Sequence, residues 1–180
     1  MGRAKGSNMH HMRTWVVANH GRPAWTSLLE SMSTEDRLEL LGLVPVGWYE
    51  LALQHRLLRS IDDFFGTGDG SLIDVIGVFE ANQDLKRIHR LFLSLANPAY
   101  VLEKSGDYWS RFYDTGEWTV VRLSPNSARG RLTGVEPFTD EFCRYLSAYI
   151  GQMWVLVGAK HLTQETTIER SGFTIVGRWR

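Results

Sequence analysis

The sequence predicts an α+β fold, helical over its N-terminal two thirds and followed by an antiparallel sheet of about four strands packed on a long helix. Three observations predict it. Apolar residues recur every three or four positions as far as residue 96, and the period shortens to two at EWTVVRL over 117–123. It then returns to three and four over 138–157, ahead of two strand-like runs, HLTQETTI and FTIVGRW.

Pro23 stands where a helix can begin, and Trp25, Leu28, Leu29 and Met32 follow at helical spacing. Ser33, Thr34 and Glu35 offer a second N-terminus with acid in its first turn. A longer helix is expected from Trp48 through Leu51, His55, Leu58 and Asp62 to Phe65, closed by Gly66 in a positive-φ stop position. Ser71 caps the next stretch, with Leu72, Val75, Ile76 and Phe79 on one face and the period continuing to Asn97 and Pro98, as one helix or two. Trp109, Phe112 and Tyr113 suit a further helix or two turns, and Asp114, Thr115 and Gly116 form a turn. EWTVVRL and SARGRLTGV read as paired strands about Pro125 and Asn126. The long helix carries Thr139 as its cap with Asp140 and Glu141 in the first turn, and the last two strands join at ERSG.

Composition suits one core. With 180 residues, 43% of them hydrophobic and 22% charged, the chain can bury a sizeable interior as a single domain over 13–180. Residues 1–12, MGRAKGSNMHHM, lack an apolar signal core and read as a disordered arm or cloning remnant. Twenty basic and twenty acidic residues cancel, so no global field attracts a phosphate backbone and a nucleic-acid role is disfavoured. No apolar run reaches the ~20 residues of a membrane span. A single cysteine excludes an intrachain disulfide and fits a reducing, cytoplasmic setting.

Few local motifs carry chemistry. GTGDGS at 66–71 lacks the lysine, the preceding strand and the spacing of a phosphate loop, and is better read as a glycine turn between helices. His10 and His11 fall in the arm, His20 in a loop, and His55, His89 and His161 on three elements, with no HxxxH or HxH pair. The expectation is therefore no metal. Cys143 has no sequence-near histidine to activate it, and the adjacent carboxylates Asp62 and Asp63 diverge on a helix, so no catalytic constellation emerges and the chain is expected not to be an enzyme. The aromatic residues of the C-terminal half supply the candidate pocket for a small apolar ligand, assigned to Trp109, Tyr113, Trp118, Cys143 and Tyr149.

Cys143, Gly151, Gly158, Gly172, Phe173 and Trp179, preceded in order by Gly21, Trp25, WYE at 48–50, GTGDG at 66–70, Pro98, Trp109 and Tyr113 through Gly116, carry a family resemblance. Over roughly 13–180 the chain resembles the superfamily of 4-vinyl-reductase-like and heme-NO-binding-associated sensor domains, and most of all an uncharacterised myxobacterial family. The resemblance implies a non-enzymatic domain of bacterial signalling that binds a small apolar ligand or a signalling protein, with no cofactor and with a homodimer as one candidate assembly.

Two alternatives accompany it. A heme-based gas sensor would use His89, which lies among Leu85, Ile88 and Phe92, because the related heme-NO-binding domains use a helical histidine. Against this, Arg87 and Arg90 flank His89, and the chain shows no counterpart of those domains' Tyr-Ser-Arg propionate clamp. An enzyme acting on a tetrapyrrole-like ring is the other. The cysteines that can ligate metal in 4-vinyl-reductase-like domains are replaced here by Thr166 or Thr167 and Thr174.

Overall fold

The structure is a computed structural model that describes residues 2–87 and 98–180, and the side chains of these apart from 85–87 and 98–104. Strand β1 (Arg3–Lys5) leads into helix α1 (Gly6–Ser31), which bends at Gly21, where φ is 87°, with Pro23 just beyond. β1 pairs antiparallel with β2 (Trp48–Glu50), Arg3 opposite Glu50 and Lys5 opposite Trp48, and Ala4 bridges to Tyr113.

The expectation of an arm over residues 1–12 is corrected. Ala4, Met9 and Met12 are fully buried, and His11 with them. Arg3 pairs with Asp114 at 2.5 Å, and the Leu51 amide donates to Gly2 O at 2.9 Å. The polar, glycine-containing composition concealed a short strand and a helix face, because each binds through only a few positions.

Helix α2 (Thr34–Leu41) is capped by Ser33, whose hydroxyl accepts from the Asp36 amide at 3.1 Å. Trp48 and Tyr49 depart from the expected helix: they form β2, and α3 (Leu51–Phe65) starts only afterwards. Backbone pairing with β1 takes these residues, and Trp48 receives the Lys5 ammonium 4.2 Å from its ring centroid.

Gly66 is also corrected, since its φ is −99°. Glycine is needed there by close approach: a Cβ would meet Asp62 O at 2.7 Å and Asp62 Oδ1 at 2.8 Å. The positive φ values fall at Gly68 (72°) and Gly70 (79°), so 66–70 is the expected helix-to-helix turn. Helix α4 (Ser71–Arg87) is capped from α3, with Asp62 Oδ2 accepting from the Gly70 amide at 2.8 Å and Oδ1 from Leu72 at 3.3 Å. The continuation of its pattern over 88–97, His89 included, lies outside the described residues.

Helix α5 (Pro98–Phe112) ends at a turn with Gly116 at φ 75°. The sheet follows the expected hairpin order: β3 (Glu117–Ser124), β4 (Ser127–Thr133), α6 (Asp140–Leu156), β5 (Thr163–Glu169) and β6 (Gly172–Arg178). The strands lie in the order β3-β4-β6-β5, all antiparallel. Burial alternates along β4 and β6, so Ala128, Leu132, Phe173 and Ile175 face the core and the intervening residues face outward. Thr139 caps α6 as expected, its hydroxyl accepting from the Phe142 amide at 3.2 Å.

The α+β architecture of the sequence prediction is thus the one observed. α6 runs along α4 and against β5 and β6, while α1 packs on α3 and α4. Gly77 lets α4 and α6 approach closely, since a Cβ there would lie 2.5 Å from Tyr145 O. Among the described residues no helix is long and apolar enough to cross a membrane.

Candidate functional site

Polar side chains converge where α1, α3, α4 and α6 meet. Glu80 and Asp84 are one turn apart on the same face of α4, and Tyr145 and Tyr149 are likewise one turn apart on α6. The glycine contact at residue 77 holds the two pairs together. Tyr149 donates to Asp84 Oδ2 at 3.0 Å, and Tyr145 donates to Glu80. Tyr113 is hydrogen-bonded to Tyr145 and accepts from Gln54 Nε2 at 3.3 Å. From α1, His11 Nδ1 faces Asp84 Oδ1 at 3.8 Å and Glu80 Oε1 at 3.9 Å. His11, Glu80 and Asp84 are 3%, 2% and 6% exposed, so this polar group is buried.

Burial sets the protonation states. It pushes the Glu80 carboxyl up to about 8, against the Tyr145 hydrogen bond that lowers it. Burial likewise raises Tyr113, Tyr145 and Tyr149 above the ordinary phenol range, so all three are proton donors at neutral pH. On α3, His55 is 7% exposed and packs its ring on Phe142, with centroids 4.6 Å apart. Desolvation lowers its pKa to about 4, making it a neutral imidazole, and neither ring nitrogen has a hydrogen-bond partner. Gln54 Oε1 and Glu80 Oε2 are also buried without a partner. Such unmet polar capacity is uncommon in a native interior and calls for a functional explanation.

The five residues assigned to a pocket from the sequence occupy several places. Trp109 stacks on Tyr113 with centroids 4.3 Å apart and donates to Thr115 O at 3.0 Å. Tyr113 meets Phe142 edge-on and joins the polar group, which Tyr149 enters from the other side through Asp84. Trp118 instead covers Gly130 of β4, packs towards Phe173 and donates to Ser105 Oγ at 2.8 Å. Cys143 is buried on α6, and desolvation pushes its thiol up to about 11, which makes it a poor nucleophile.

Sequence reading missed His11, Gln54, His55, Glu80 and Asp84 as site residues. The Glu80/Asp84 and Tyr145/Tyr149 spacings were a usable signal, whereas His11 was discarded with the arm. Ligand atoms of His11, Glu80 and Asp84 all lie within 4.8 Å of one another, a group assembled from distant parts of the chain.

No family model and no curated protein matches the chain. Solved structures do. An H-NOX protein from S. oneidensis in the Fe(II)NO ligation state superposes with a TM-score of 0.74 at 12% identity, covering 98% of this chain and 99% of that one. A variant H-NOX protein from K. algicida, Fe(II) and unliganded, gives 0.73 at 11% identity, with coverages of 98% and 96%. A third neighbour, from work on heme redox potential and porphyrin distortion, gives 0.67 at 8% identity and covers 97% of each chain. The chain therefore has the fold of H-NOX domains. These neighbours support the heme-NO-binding side of the resemblance and neither its 4-vinyl-reductase nor its myxobacterial side. They also overturn the expectation of a cofactor-free domain, since the neighbours of this fold are iron and heme proteins.

Proposed function

We propose that this chain is a heme-dependent sensor domain for a small diatomic gas, acting through a signalling partner protein and performing no turnover. The carrying observation is the end-to-end match with an Fe(II)NO H-NOX protein, which leaves almost no part of either chain unaligned.

The interior is compatible with the group. Trp109, Tyr113, Phe142 and Tyr145 make an aromatic wall, and buried polar atoms at Gln54 and His55 await a partner. His89 would hold the heme iron on its sequence setting, and His55, held neutral by burial, is the other imidazole with the required chemistry. Heme supplies, when bound, an iron that takes up a diatomic gas. The chain's own residues supply the rest: the aromatic wall excludes water, and the buried tyrosines stay neutral, their hydroxyls engaged with Glu80 and Asp84. This narrows the expected small apolar ligand to a gas and favours the alternative over the cofactor-free reading.

Optical titration of the full chain with hemin tests the proposal. It should saturate at one heme per chain with a shifted Soret band, and His89→Ala should weaken binding at least about 10-fold while His55→Ala does not. Absence of a shifted Soret band in the wild type at stoichiometric hemin overturns the proposal, and an unchanged titration in His89→Ala overturns the ligand assignment.

A further inference from the structure

We infer that His11, Glu80 and Asp84 form a binding site for a divalent first-row cation, distinct from the heme ligand and independent of the heme reading. Two elements build it. α4 presents both carboxylates from one face, and α1 brings His11 Nδ1 to 3.8 Å and 3.9 Å from one oxygen of each.

The contacts themselves point to a cation. At these distances His11 makes no normal hydrogen bond to either oxygen, since an N–H···O bond is about 2.9 Å long. A metal with bonds of about 2.1 Å in tetrahedral geometry needs its ligand atoms about 3.4 Å apart. The two His11 contacts are therefore too long for direct hydrogen bonding, and the triad, whose ligand atoms lie within 4.8 Å of one another, would contract to close on an ion.

Glu80 supplies the independent observation. It is 2% exposed, its Oε2 has no hydrogen-bond partner, and its one ion-pair partner among the described residues is His11. A buried carboxyl with an oxygen left unpartnered is tolerated when it is protonated, paired or ligating a metal, and a cation would satisfy that oxygen. The surrounding groups orient it for ligation. Tyr149 donates to Asp84 Oδ2, Asp84 Oδ1 faces His11, and Tyr145 donates to Glu80. Ligating carboxylates are characteristically held in this way by hydrogen bonds from an outer layer.

One nitrogen and two carboxylate oxygens, without thiolate, form a donor set for zinc, iron(II) or manganese(II), with zinc bound most tightly of the three. The cation would tie the N-terminal helix to α4. That gives a physical role to a segment whose sequence alone resembles an arm.

The test uses the full chain stripped with chelator, then dialysed against zinc and analysed for zinc, so that heme iron does not enter the count. One zinc per chain is expected, with a melting temperature that rises on zinc addition. The double substitution Glu80→Gln, Asp84→Asn should lower zinc affinity at least about 100-fold, while circular dichroism reports on its fold. X-ray absorption of the cobalt(II)-loaded wild type, which needs no variant, should show a nitrogen and oxygen shell with no sulfur. Failure to take up stoichiometric zinc, undiminished uptake in a folded double variant, or a sulfur ligand would each overturn the assignment.

Discussion

The Trp154 ring on α6 lies directly over Gly177 of β6, and a Cβ on Gly177 would penetrate the ring. Trp154 is among the largest fully buried side chains, so this pair locks the long helix to the sheet. Trp154→Ala should cost roughly 3–5 kcal/mol in urea unfolding. Gly177→Ala should cost about 1–3 kcal/mol by overpacking against the same ring. A loss under about 1 kcal/mol for Trp154→Ala would contradict this packing.

Asp62 closes α3 and starts α4 with one carboxylate, through bonds of 2.8 Å and 3.3 Å to the Gly70 and Leu72 amides. Asp62→Ala should therefore destabilise by about 1–3 kcal/mol, the cost of leaving helix-start donors without their acceptor. Asp63, its exposed neighbour, serves as the control: Asp63→Ala should stay within about 0.5 kcal/mol. Equal effects at the two positions would contradict the cap.

Removal of residues 1–12 should abolish cooperative folding, because Ala4, Met9 and Met12 leave the core and β2 loses its partner. The loss is expected to be comparable to the whole stability of a domain, about 5 kcal/mol or more. Near-UV circular dichroism checks it: a native spectrum from the truncated chain would show that the segment is dispensable.

The contrast between this segment and the C-terminal half shows what was legible in the sequence. β4, β6 and α6 announce themselves because each presents one buried face over many residues, while β3 and β5, largely exposed, are legible through their β-branched residues, and Thr139 and the 169–172 turn mark the ends. β1 and β2 have three residues each, too few for a period to emerge, and Trp48 happens to fall in phase with the helix that follows. The polar site was illegible for another reason. His11, Gln54, Glu80 and Tyr145 are brought together by packing of four helices, and only the one-turn pairs Glu80/Asp84 and Tyr145/Tyr149 leave a local trace. Gly66 does close α3, as its place in the sequence suggests, but the cause is contact with Asp62 and not a left-handed backbone.

His55 makes stability depend on pH. Desolvation by burial, the largest cause, holds its folded pKa at about 4, below the ordinary 6.5, while Glu141 acts in the opposite sense and Arg56 and Arg59 add to the depression. Between these values the unfolded chain binds a proton that the folded chain does not, so stability falls as pH drops from 6.5 towards 4. The contribution is up to about 3 kcal/mol. Urea midpoints at pH 7 and pH 4.5 should diverge less in His55→Phe than in the wild type. Identical pH dependence in the two would show that His55 ionises readily in the fold.

Gas binding by the heme-loaded protein tests the central claim most directly. The full chain, loaded with hemin, passed through gel filtration and reduced to Fe(II), should retain one heme per chain and shift its Soret band on addition of NO and, separately, of CO. Loss of heme in gel filtration, or a Soret band that responds to neither gas, would contradict the account.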